Sequence, residues 1–123
     1  MPAFPSVFPF WWIALTAAIA FVASVALLLM LRRRATGYSA LEIFSLAFIV
    51  GLSIVAWRSA ANVPLLNDDP IPPFSPNDFL CPMLTFVALE LHAAFRQPSL
   101  SSNWERTRAW LTLVSFVINV LVI

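Results

Sequence analysis

The chain has 123 residues, 61% of them hydrophobic and 11% charged, and a net charge of +1. Soluble domains run at about 45–50% apolar and about 25% charged, and a domain this small leaves too much surface exposed to hide the excess. The lipid bilayer is therefore the expected solvent and first partner, and nucleic acid is excluded as a partner by the weak charge. The single cysteine, Cys81, excludes an intramolecular disulfide and a cysteine metal cage. It reads as a packed thiol, with redox chemistry or lipidation as the alternative.

The first twelve residues, MPAFPSVFPFWW, carry no Lys or Arg, whereas Arg32, Arg33 and Arg34 follow the first apolar run. A cleavable signal peptide needs its basic residues in front. Residues 10–31 are thus predicted to be a retained span. A second span is predicted over 40–57, with Glu42 near its start, and a third over 79–95, containing Glu90 and His92. A fourth is assigned to 106–123. Its uncharged part, Ala109 to Ile123, is short against the roughly 20 residues that cross a bilayer core. The expected fold is an all-α integral membrane protein of four transmembrane helices forming a single domain.

Orientation follows the arginines. Six lie in the segments after the first and third spans (Arg32, Arg33, Arg34, Arg96, Arg106, Arg108), against Arg58 alone on the other side. Short basic loops stay cytoplasmic, so loops 32–38 and 96–108 are expected inside and both termini outside. Trp11, Trp12 and Trp57 then fall at the outer interface, and Tyr38, Trp104 and Trp110 at the inner one. This arrangement fits the inner (cytoplasmic) membrane of a bacterium.

Ser39-Ala-Leu-Glu42 and Ser102-Asn-Trp-Glu105 each match a capping box, in which Ser and Glu satisfy free backbone N–H groups. That gives Ser39, Glu42, Ser102 and Glu105 structural work, and Asp78 is expected to cap the third span. The outer loop, 59–78, holds Pro64, Pro70, Pro72, Pro73 and Pro76. Such density predicts an extended path without helix. Leu65, Leu66, Ile71 and Phe74 within it suit either a strap over the helix ends or a docking surface for another subunit.

Glu90 stands six residues before Arg96, about 9 Å along a helix. An unpaired carboxylate in hydrocarbon costs at least ~2.5 kcal/mol, so Glu90 is expected to be paired with an arginine at the inner helix ends, or else to handle protons or substrate. His92, two positions on, points to nearly the opposite helix face and shares its own with Thr85, Ala88 and Arg96. The spacing Ala88-x-x-x-His92 resembles that of bacterial antenna polypeptides, where a small residue one turn earlier lets a macrocycle approach. The resemblance covers five residues and implies a haem or pigment ligand at His92; the alternative is a hydrogen-bonded structural histidine.

Arg58 is read as an interfacial anchor that snorkels to headgroups or meets Asp68, Asp69 or Asp78, and Asn119 as a source of an interhelical hydrogen bond. Ala14-x-x-x-Ala18, Ala20-x-x-x-Ser24 and Ala47-x-x-x-Gly51 allow close helix approach. No paired histidines, HExxH, Walker loop or Ser-His-Asp set on one membrane side is present, and no metal or catalytic residue is assigned.

These features point to a non-catalytic accessory subunit of a larger, hetero-oligomeric membrane complex, of the respiratory or photosynthetic electron-transfer kind. Haem, a chlorophyll-type pigment, a quinone or lipid would then lie at the interface with another subunit. The alternative is a small homo-oligomeric transporter or a holin-like pore. In size and span count the chain is similar to the small multidrug resistance transporters, but their essential acidic residue stands in the first span, which here carries no charge.

Overall fold

A computed structural model describes residues 7–32, 38–69, 71–72, 74–96 and 104–123. Among the described residues the elements are helices, α1 Phe10–Arg32, α2 Ala40–Ala60, α3 Pro64–Asn67, α4 Pro76–Arg96 and α5 Trp104–Val122, with one isolated bridge between Ile71 and Phe74. α1 packs on α2, α2 on α4, α4 on α5, and α5 back on α1. The result is a ring of four long helices with short connections, as antiparallel neighbours require.

Each helix buries one stripe. On α1 it is Ile13, Thr16, Ala17, Ala20, Ser24 and Leu28, spaced three and four apart. α2 buries Ile43, Leu46, Ala47, Val50, Gly51, Ser53, Ile54 and Arg58, and packs on α1 and α4. α1 and α2 approach closely at Gly51, where an added Cβ would stand 3.2 Å from the Ala17 carbonyl oxygen. Gly51 of the small-residue pattern therefore lies in this seam and Ala47 is buried, whereas Ala18 is exposed.

Large apolar side chains also cover the outside, among them Phe10, Trp11, Phe44, Phe48, Met83, Phe95 and Leu121. Such a surface is suited to lipid and not to water. α1, α2 and α4 are each long and apolar enough to cross a membrane. α5 is not among them: Glu105, Arg106 and Arg108 crowd its start.

The outer loop departs from the extended path expected of it. Two of its five prolines start helices: Pro64 is the first residue of α3, and Pro76 the first of α4, while Pro70 and Pro73 lie outside the described residues. At that position a helix N–H has no partner in any case, and the fixed φ of proline suits the turn. α4 accordingly begins three residues before Phe79, and α2 runs on past Trp57 to Ala60. Inside α4, Pro82 removes one ladder hydrogen bond, the one that would reach the Asp78 carbonyl.

Ser39 caps α2 in a full box: its Oγ accepts from Glu42 N at 3.2 Å, and its own N–H donates to Glu42 Oε1 at 3.3 Å. Asp78 is not the cap of α4. Ser75 holds that place, with its Oγ accepting from Asp78 N at 3.3 Å, while Asp78 Oδ2 accepts from Ser75 N at 2.9 Å. Ser102, Arg33 and Arg34 lie outside the described residues, as do the side chains of Arg32 and Arg96; Glu105 is exposed in the first turn of α5.

Candidate functional site

The chemistry of the molecule gathers where α2 ends and α4 begins. Arg58 does not snorkel. Its side chain turns into the bundle, 1% exposed, and donates from Nη2 to Asp78 Oδ1 at 2.7 Å and from Nε to Asn119 Oδ1 at 2.9 Å. An arginine one turn from a helix end has two options, outward to headgroups or inward to a carboxylate. The inward choice holds because Asp78 is fixed by its reciprocal bonds with Ser75, and because asparagines satisfy the remaining guanidinium edge. Burial of a charge pair is tolerable only with such added bonds.

Three asparagines extend the cluster. Asn67 Oδ1 accepts from Arg58 Nη1 at 3.4 Å and from Asn77 Nδ2 at 2.7 Å. Asn77 also donates to the Ala61 carbonyl and accepts from Trp57 Nε1, each at 2.9 Å. Trp57 thus faces this network with its N–H. Asn62 grips the backbone before α1, accepting from Phe8 N at 2.9 Å and donating to Phe8 O at 2.8 Å. Asn67 Nδ2 links the two groups by donating to Asn62 Oδ1 at 2.9 Å. Just outside, the Asp69 carboxyl is raised above the ordinary carboxylate range, by desolvation first and then by the charges of Asp78 and Asp68.

From Asn119 the polar chain runs down the bundle axis. Asn119 Nδ2 donates to the Ser115 carbonyl at 2.7 Å and approaches Ser115 Oγ at 3.4 Å. Ser115 meets Thr85 at 2.8 Å, Thr85 meets Ser53 at 2.7 Å, and Ser53 donates to the Val50 carbonyl at 2.7 Å. Each hydroxyl has one proton. Thr85 Oγ1 also reaches the Cys81 carbonyl oxygen at 3.2 Å, so its one proton is shared among several acceptors and either oxygen can be the donor in its contacts with Ser53 and Ser115.

The chain stops there. Below it Leu46, Val50, Leu89 and Leu111 are completely buried. On α5 Leu111 fills the turn between Ser115 and Thr107, which are about 12 Å apart along the helix. At the opposite end of the bundle Thr107 accepts from the Tyr38 hydroxyl at 3.2 Å, in a buried contact. Ser24 Oγ, buried on α1, has no partner among the described residues.

Glu90 lies outside this interior path. Its side chain is 43% exposed on the α4–α5 flank, where Oε1 accepts from Arg108 Nη1 and, at 3.0 Å, from Trp104 Nε1. Arg108 also stacks over the Phe86 ring at 4.4 Å. Arg106 is exposed. His92 is half-buried and lines an open groove of about 480 Å³ with Phe21, Phe44, Ser45, Phe48 and Ile49. Glu90 and His92 are therefore on different surfaces. Cys81 is buried in the core.

The interior hydroxyls were missed by sequence reasoning, although α5 carried a signal. Thr107, Leu111, Ser115 and Asn119 recur every four residues, and all four are buried. Among the described residues no cluster of His, Cys, Asp and Glu could hold a metal. No family model, no curated protein and no solved structure matches this chain.

Proposed function

We propose that the chain is a small multi-pass accessory subunit of a larger membrane assembly, embedded as four spans with both termini outside. The fourth span is α5, and the basic segments around 32–38 and 96–108 face the cytoplasm of a bacterial cell. The observation that carries this reading is the contrast between interior and flank. Inside, the polar groups are spent on one another, from Asp78 to Ser53, and end against a leucine layer. Outside, grooves of about 480 and 410 Å³ are lined mainly by Phe21, Phe44, Phe48, Ala14, Ala17 and Gly51. Surfaces of that kind accept helices or acyl chains.

An electron-transfer complex is the setting in which His92 would matter. A haem, pigment or quinone held chiefly by a neighbouring subunit would lie against Phe21, Phe44 and Phe48. The competing reading, a homo-oligomeric transporter, is favoured by the half-exposed Glu90 carboxylate on the α4–α5 flank.

Purification of the native protein in mild detergent separates the two. The accessory reading expects co-purification with larger membrane proteins and instability alone; a stable homo-oligomer without partners overturns it. An absorption spectrum of the same preparation tests the His92 setting: without a haem or pigment band, coordination there is removed.

A further inference from the structure

We infer that α5 is a conditional span, held in the membrane by hydrogen bonds to α2, α4 and the segment before α2 and not by its own hydropathy. The inference rests on the reading of α5 as the fourth span. After Arg108 its uncharged stretch, 109–122, is about 21 Å long at 1.5 Å per residue, against a hydrocarbon core of about 30 Å. Among the described residues α5 is the one long helix that falls short of the length and apolarity shown by α1, α2 and α4.

Its buried face is moreover polar at three of four positions, Thr107, Ser115 and Asn119, with Leu111 between them. Each polar residue is satisfied from another element: Thr107 by Tyr38, Ser115 by Thr85 and Asn119 by Arg58. Lipid offers none of these partners, and unpaired polar groups in hydrocarbon are costly. α5 is thus at home in the membrane only once Arg58 and Thr85 are in place, which makes its insertion a late step. An order follows in which α2 and α4 assemble first and α5 then closes the ring.

The test uses the full chain in its native membrane, with an epitope tag at each terminus scored for sidedness by protease added to intact spheroplasts. A membrane-permeant maleimide reads whether Cys81, which lies beside Asn119 and Ser115, is still covered. In the wild type the two termini share one side and Cys81 is protected; termini on opposite sides would defeat the four-span reading itself. The variant Arg58→Leu/Asp78→Leu/Thr85→Val leaves α5 untouched and removes two of its partners. It is expected to lose the same-side signal and expose Cys81. Adding Ser115→Ala and Asn119→Leu, which make α5 apolar, is expected to restore both readings. If the first variant keeps the wild-type topology, or if the added changes fail to restore it, the inference is overturned.

Discussion

Arg58 and Asp78 stand twenty positions apart, on different helices, and meet at 2.7 Å with both side chains shut away from solvent. Removing one partner strands a buried charge. Arg58→Ala is expected to destabilise the protein by about 3–5 kcal/mol, read as a fall in the unfolding midpoint in detergent. Arg58→Leu/Asp78→Leu should cost less than the two single changes added together. Additive losses would show that the pair is not coupled.

Thr85 joins α4 to both α2 and α5 through its hydroxyl. Interhelical hydrogen bonds in membranes average ~0.6 kcal/mol each, so Thr85→Val should cost about 1 kcal/mol. In the Ser53→Ala/Ser115→Ala background the same change should cost little, because no partner is left wanting. The comparison is a double-mutant cycle on unfolding.

The α1–α2 seam has no spare room at Gly51, where the Ala17 carbonyl is 3.2 Å from a notional Cβ. Gly51→Ala asks for a shift of tenths of an ångström. Gly51→Leu must push the helices apart and is expected to cost roughly 1–3 kcal/mol by overpacking. Equal stability of the two variants would place the seam elsewhere.

Glu90 should behave unlike Asp78. Its bonds to Arg108 and Trp104 lie on a flank where the side chain is 43% exposed, and exposed pairs contribute about 0–1 kcal/mol. Glu90→Gln is expected to shift the unfolding midpoint little and to leave partners bound in a pull-down. Loss of a measured transport activity on this change, with the fold intact, would favour the transporter.

Cys81, buried in the core, should resist maleimide in the folded protein and react once the bundle is unfolded in denaturing detergent. Rapid labelling of the native protein would contradict its place against α5.

Much of the helical plan could be read from residue order. α1 and α2 are long apolar runs, and the Ser39–Glu42 cap is local, so nothing distant was needed to see it. Pro64 and Pro76 misled because composition alone does not tell a proline that opens a helix from one that forbids it. For Arg58 the sequence offered both headgroups and Asp78 as partners and could not choose between them. Its position at a helix end looks the same whether its partner is a headgroup or Asp78, and only the fold brings Asp78 across. Thr85, Ser53 and Ser115 are unremarkable singly in an apolar helix. Their meaning arises from three helices meeting at one level, although the four-residue rhythm of α5 already marked a polar stripe.

The grip of Asn62 on the Phe8 peptide has a further consequence for variation in this protein. Both bonds go to main-chain atoms, so position 8 is held by any residue with a backbone N–H, proline alone excepted, whereas position 62 must supply a donor and an acceptor side by side. Sequence drift should therefore be lopsided across this junction. Residue 8 is otherwise free to change, while residue 62 tolerates little beyond a carboxamide of the same reach. The tether reads the chain's presence and not its spelling.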